Sequence, residues 1–220
     1  MSDLEFFFDP VCPWAWLTSR WVVEVQSLRS YDVRWLPISL KYLNRENSAE
    51  WYDDTYKRWH AMGHEALRVA LRLEDEFGSK SDPGSGNDAV ARFYTALGTE
   101  GHVNRRRDDF AASTESFVGE CLERAGFDRG FVSSAFDTSF DSRIEECTET
   151  ALSRTGRDVG TPIITFRPGA SDEGSFFGPV IARIPRGDEA LRLWDAVEVV
   201  ATTPGVSELK RSLRDKPDFS

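Results

Sequence analysis

The chain has 220 residues, 40% of them hydrophobic, and a net charge of −10 at neutral pH. That acidity argues against a nucleic-acid surface, which needs clustered Lys and Arg to meet phosphates. No window approaches the ~18 apolar residues of a membrane span, and three widely spaced cysteines, an odd number, do not make a disulfide framework.

The N-terminus, Met1-Ser2-Asp3-Leu4-Glu5, is acidic and leads straight into Phe6-Phe7-Phe8. It lacks the basic start and longer apolar core of a signal peptide, so the expectation is a cytoplasmic protein with reduced thiols. The Phe run reads as a buried strand ended by the turn signal Asp9-Pro10. Cys12 and Pro13 follow. Trp14, Leu17, Trp21, Val22 and Val25 then recur at helical spacing to about Arg29. Pro13 suits the first helical turn. Cys12 therefore falls at or next to the N-cap, where unpaired N–H groups and the positive end of the dipole meet its sulfur. A Cys with pKa about 8.5 is only ~3% thiolate at neutral pH. The dipole lowers that pKa by roughly 0.2–1.5, and N–H bonds lower it further. Cys12 reads as a nucleophile rather than an inert half-buried thiol.

Val33 to Ile38 reads as a second strand, close enough to the helix to form a right-handed parallel strand–helix–strand unit. Leu40 to Asn44 reads as a connection. From about Ser48 the pattern is helical: one or two helices stopped by Gly78, a polar loop over Ser79–Asn87, a helix Asp88–Leu97 closed by Gly98, and another ending at Gly126. A short helix over about Arg129–Phe136 comes next. Ser142-Arg143-Ile144-Glu145 has capping-box form for a helix running to Gly156. Strands return at Pro162–Phe166 and Gly174–Phe177 as a hairpin with a long turn. A helix over about Arg186–Ala201 and a small last helix carrying Val206, Leu209 and Leu213 complete the order.

The fold class is α/β: a thioredoxin-like fold (βαβ…ββα) formed by residues 1–45 and 157–220, with a large all-helical insertion domain at 46–156. Cys121 and Cys147 share helical faces with apolar residues and read as core. His60 and His64 have ligand spacing, but Ala61 stands where the zincin motif needs Glu, so they read as partly exposed and no metal is expected. Arg105-Arg106-Arg107, followed by Asp108-Asp109, reads as a solvated face. Trp14, Trp16, Tyr52, Tyr56 and Trp59 either pack under the insertion or wall a pocket for a flat apolar substrate. Asn44, entering the insertion, is a candidate polar contact there.

Cys-Pro-Trp-X at the first helix, the helical insertion, and Gly160-Thr161-Pro162 before the next strand together resemble the DsbA-like thioredoxin family. Phe8–Trp14, Thr18–Trp21, Tyr94–Gly98, Val159–Pro162, Phe177–Val180 and Ile184–Gly187 resemble the actinobacterial mycothiol-dependent nitroreductases within it. The resemblance implies Cys12 as attacking thiolate, Pro13, Trp14 and Ala15 in the substrate- or thiol-binding motif, Thr161 before a cis Pro162, and His102 as an active-site His, proton donor or thiolate partner. The family commonly has Cys-Pro-Trp-Cys, and here the fourth position is Ala15. That leaves monothiol chemistry, with a small thiol from solution resolving the adduct. Mycothiol or glutathione is the implied co-substrate, with no tightly bound cofactor, and a small disulfide or electrophile is the substrate. A homodimer is left open. The alternatives are a thiol-dependent enzyme like kappa-class glutathione transferases and hydroxychromene-carboxylate isomerases, or a non-catalytic binding homologue.

Overall fold

The computed structural model describes residues 2–79 and 82–219. The chain divides into two units. One comprises Met1–Phe8, Cys12–Leu36 and Ala151–Ser220; the other comprises Asp9–Val11 and Pro37–Thr150.

The first unit is built on a four-stranded sheet of β1 (Leu4–Phe8), β2 (Val33–Pro37), β3 (Ile163–Phe166) and β4 (Gly174–Phe177), in the order β2-β1-β3-β4. Successive strand side chains point to opposite faces, so an unbroken apolar run needs cover on both. β1 meets that condition: Leu4, Phe6, Phe7 and Phe8 are all buried. β3 runs antiparallel to β1, Phe6 opposite Ile164, and antiparallel to β4, Ile164 opposite Phe176. Two helices of this unit, α1 (Pro13–Leu28) and α8 (Gly187–Thr202), pack together. The Trp21 indole N–H donates to the Ala190 carbonyl at 3.0 Å. Trp194 of α8 meets the rings of Trp21, Tyr31 and Phe166 at centroid distances of 5.5, 4.6 and 5.1 Å. This arrangement of strands and flanking helices is a thioredoxin-like α/β fold.

The second unit is organised on α3 (Asp54–Phe77), whose N-cap Asp53 accepts the Thr55 and Tyr56 N–H groups. α4 (Pro83–Gly98) and a 3-10 stretch over Arg129–Phe136 pack on α3. α2 (Leu40–Leu43), α5 (Arg107–Ala112), α6 (Thr114–Arg124) and, up to Thr150, α7 (Asp141–Thr155) complete its helices. Met62, Leu67, Phe93 and Phe117 lie in its core.

Several sequence expectations are corrected. Leu40–Leu43 is a short helix rather than a connection, because Ser39 caps it by accepting the Tyr42 N–H at 3.2 Å. α4 begins at Pro83, well before Asp88, with Asp82 as its N-cap. Gly86 there is a packing residue, not a breaker: a Cβ would fall 2.5 Å from the Glu74 carbonyl and 2.9 Å from the Gly78 Cα. Lys80 and Ser81 of the expected loop lie outside the described residues. α4 ends at Gly98, but the chain goes on directly into a π-helical turn, Thr99–Val103, that carries His102. After α8 no helix forms among the described residues, and Leu209 and Leu213 are exposed. A short helix without a partner face is marginal in water.

Gly174 opens β4 directly against α8. A Cβ there would collide with the Ala201 carbonyl and lie 2.8 Å from the Thr202 Cα, and backbone atoms cannot rotate away. Gly174→Ala is expected to cost about 1–3 kcal/mol in urea unfolding; an unchanged midpoint would show that α8 shifts freely.

Candidate active site

Cys12 is the N-cap of α1 with Pro13 at the first helical position, as the sequence pattern requires. The Ala15 N–H donates to its sulfur at 3.4 Å, and the thiol donates to the Thr161 carbonyl at 3.6 Å. The Thr161–Pro162 peptide is cis. Cys12 and Thr161 are each only 6% exposed, and among the described residues the Thr161 hydroxyl has no hydrogen-bond partner. A buried hydroxyl without a partner is uncommon and costs about 1–3 kcal/mol. Pro13 and Trp14 are half-buried, and Ala15 is fully buried. The sheet-containing unit thus gathers Cys12, Pro13, Trp14, Ala15, Thr161 and Pro162. A second cis peptide, Gly178–Pro179, adjoins this group, for the Gly178 N–H donates to the Pro162 carbonyl at 2.9 Å. The Thr18 hydroxyl of α1 donates to the Pro179 carbonyl at 2.8 Å.

His102 and Asn44 belong to the helical unit. The Asn44 side chain donates to the Leu40 carbonyl at 2.9 Å and accepts from Asn47 at 3.0 Å, closing the C-terminal end of α2. His102 is buried, and its Nε2–H donates to the Pro10 carbonyl at 3.0 Å, since a carbonyl only accepts. Burial pushes its pKa down to about 4; the Pro10 bond opposes this and the Arg107 charge adds to it. At neutral pH the ring is therefore uncharged. His102 also lines a small surface depression with Trp59, Met62, Leu97, Arg107 and Phe110.

Asp9 shows in the sequence only as a turn signal, and its burial is legible only in the structure. It is fully buried. One carboxyl oxygen accepts the Val11 N–H at 3.0 Å and the other accepts the Leu40 N–H at 2.8 Å. Gly63 of α3 lies so near that a Cβ would sit 2.5 Å from Oδ1. Burial raises the Asp9 pKa from 3.8 to about 7, against the lowering effect of those two N–H bonds. The available signal was an acid inside an apolar stretch, which burial makes costly unless it is paired.

His60 and His64 are buried rather than partly exposed. His60 Nδ1 meets the Tyr52 hydroxyl at 3.1 Å. His64 bridges Ser39 Oγ, 2.8 Å from Nδ1, and Asp141, 3.0 Å from Nε2; Arg68 grips the same carboxylate at 2.6 and 2.9 Å. These are the residue types of a hydrolase triad, but the Ser39 hydroxyl is fully buried and committed to capping α2. Among the described residues no group of three or more His, Cys, Asp or Glu could hold a metal. Cys121 is buried, with its pKa pushed up to about 12 mainly by that burial; Cys147 is half-buried. Arg106 and Arg107 are not a solvated face. Arg106 pairs with Glu100, Asp109 and Glu120, and Arg107 stacks on Trp59 at 3.6 Å from the ring centroid.

Residues 11–211 match the family model described as Rv2466c-like, mycothiol-dependent nitroreductase Rv2466c. The chain is also similar to the uncharacterized protein Rv2286c of Mycobacterium tuberculosis (strain ATCC 25618 / H37Rv): 27% identical, over 96% of this chain and 82% of that protein. Among solved structures, a selenomethionine 2-hydroxychromene-2-carboxylate isomerase superposes with a TM-score of 0.47 at 14% identity, covering 88% of this chain and 93% of that one.

The raised Asp9 pKa sets a pH dependence. A group whose folded pKa lies above its unfolded value contributes stability that is full below 3.8 and lost as pH rises through about 7. The span corresponds to on the order of 4 kcal/mol. Between pH 5 and 8 the unfolding free energy of the wild type is expected to fall more steeply than that of Asp9→Asn. The variant starts lower, because Asn offers a single acceptor to two N–H groups. Parallel curves would show that Asp9 does not titrate in this range.

Proposed function

We propose that this chain, which belongs to the Rv2466c-like family of mycothiol-dependent nitroreductases, is a thiol-dependent oxidoreductase that works through the single sulfur of Cys12. The observation that supports this best is the position of Sγ at the N-cap of α1, 3.6 Å from the Thr161 carbonyl that precedes cis Pro162. The N-terminal end of α1 and the Ala15 N–H favour the thiolate. The unpartnered Thr161 hydroxyl is a polar contact ready for a bound molecule.

In the proposed cycle the Cys12 thiolate attacks one sulfur of a small disulfide. A Cys12–substrate disulfide forms, and the other half leaves as a thiolate. With Ala15 at the fourth motif position, no second motif thiol completes the exchange. A low-molecular-weight thiolate, mycothiol in this reading, attacks the substrate sulfur of the adduct and returns Cys12 as the thiolate. Oxidation state is conserved at each exchange, and the incoming thiol leaves in the product disulfide. His102, neutral and donating to Pro10, acts by positioning the turn before Cys12 rather than by giving up a proton. This chemistry suits a reducing compartment such as the cytoplasm.

Incubation with a mycothiol mixed disulfide is expected to add one mycothiol mass to Cys12, released by free mycothiol and absent in Cys12→Ser. Turnover surviving in Cys12→Ser, or a non-reducing digest linking Cys12 to Cys121 or Cys147, would overturn the single-sulfur cycle. Ala15→Cys is expected to convert the adduct into an internal disulfide between Cys12 and the introduced sulfur, read as loss of the adduct mass. Alkylation of Cys12 is expected to follow an apparent pKa below 8, and a value above that would remove the activated nucleophile.

A further inference from the structure

The chain after α8 is tied at both ends and open between them. At the near end the Thr203 hydroxyl donates to the Val199 carbonyl at 2.5 Å, and the Val206 N–H donates to the Thr203 carbonyl at 3.3 Å. At the far end the Asp218 N–H donates to the Ala182 carbonyl at 2.7 Å. Between these ties there is no helix or strand, and Val206, Leu209 and Leu213 are 39%, 80% and 87% exposed. Their spacing of three and four residues belongs to one helical face, and a helix this short needs a second apolar surface to hold it.

The far tie ends on such a surface. Ala182 closes a run in which Phe176, Phe177, Pro179, Val180 and Ile181 are half-buried rather than enclosed. That run belongs to the framework around Cys12. The Gly178 N–H donates to the Pro162 carbonyl, and the Pro179 carbonyl accepts the Thr18 hydroxyl of α1. Ala182 lies three residues beyond Pro179, so the two Cα atoms are within about 11 Å of each other. Cys12, this run and the tied segment all belong to the sheet-containing unit.

From these features we infer that residues 206–217 are a cover for the Cys12 site, closing with Val206, Leu209 and Leu213 against the apolar run Phe176–Ala182 when a molecule is held on Cys12. The structure shows the open arrangement. A molecule on the sulfur adds contacts that only the closed arrangement makes, which is the differential interaction a ligand needs to shift such an equilibrium. Closing takes both leucines out of water, and the ties at Thr203 and Asp218 have already fixed the ends of the loop that must be ordered. The inference rests on the single-sulfur reading for what occupies the site, and the two are tested apart.

Trypsin cleavage after Lys210, Arg211 and Arg214, all exposed, reads the cover, and cleavage after the exposed Arg45 of the helical unit is the reference. Unmodified protein is compared with protein carrying mycothiol disulfide-linked to Cys12, the adduct being confirmed by mass. The expected result is cleavage of the segment slowed at least about tenfold in the adduct, with the reference rate unchanged. Leu209→Ser combined with Leu213→Ser should abolish the protection in protein of the same adduct occupancy, and protection that survives it would overturn the apolar closure. Equal cleavage with and without a confirmed adduct would overturn the cover and leave the exchange reaction standing. Protection that grows with protein concentration would assign the segment to a second copy of the chain and overturn the cover as well. If no mycothiol adduct forms, the exchange reading fails, and protein alkylated at Cys12 with N-benzylmaleimide takes its place: protection there supports the cover, and equal cleavage overturns it.

Discussion

The carboxyl group of Asp9 holds the turn Asp9–Val11 of the helical unit. It is buried, yet two backbone N–H groups, Val11 within the turn and Leu40 at the start of α2, both end on it. An apolar residue in its place would leave two buried donors unpaired, a larger penalty than burying an acid that can hold a proton. His102 secures the same turn from the other side by donating to the Pro10 carbonyl. Asp9, Pro10 and Val11 are thus held through both backbone donors and a backbone acceptor. All three belong to the helical unit, whereas Cys12, next in the chain, belongs to the sheet-containing one.

The sulfur of Cys12 has neighbours that pull in opposite directions. The Ala15 N–H and the first turn of α1 favour the thiolate; the Thr161 carbonyl, which can only accept, favours the thiol. The sulfur thus has one neighbour that favours each of its protonation states. A ligand that draws on the Thr161 backbone or hydroxyl would shift the balance. The cis Pro162 and cis Pro179 segments are tied by the Gly178 N–H, and Thr18 ties the second of them to α1. The carbonyl facing the sulfur therefore belongs to a braced framework rather than to a loose loop.

The three histidines lie in the helical unit. Each of the three is buried beside a polar partner: Tyr52 for His60, Ser39 and Asp141 for His64, and Pro10 for His102. Burial lowers all three pKa values, to about 4 for His60 and His102. Their neutral forms are the ones compatible with the fold.

Local patterns were enough to place Cys12 at the N-cap of α1, because a strand, a turn signal and Cys-Pro before an amphipathic run leave few other geometries. They also placed α3 up to Gly78, the strands β3 and β4, and α8, since an apolar periodicity of 2 or 3.6 registers burial directly. Polar residues inside the fold were illegible. Asp9 looks like any turn acid, His60 and His64 like partly exposed histidines, Gly86 like loop, and Arg107 like a solvated cation. Each takes its role from a partner far along the chain or on a neighbouring helix: Leu40, Tyr52 and Asp141, Gly78, and Trp59. The C-terminal stripe of Val206, Leu209 and Leu213 shows the converse, a helical period with no helix. A sequence alone determines which surfaces must be buried; only the tertiary structure decides which buried polar atom meets which, because that depends on distances between segments that no local pattern encodes.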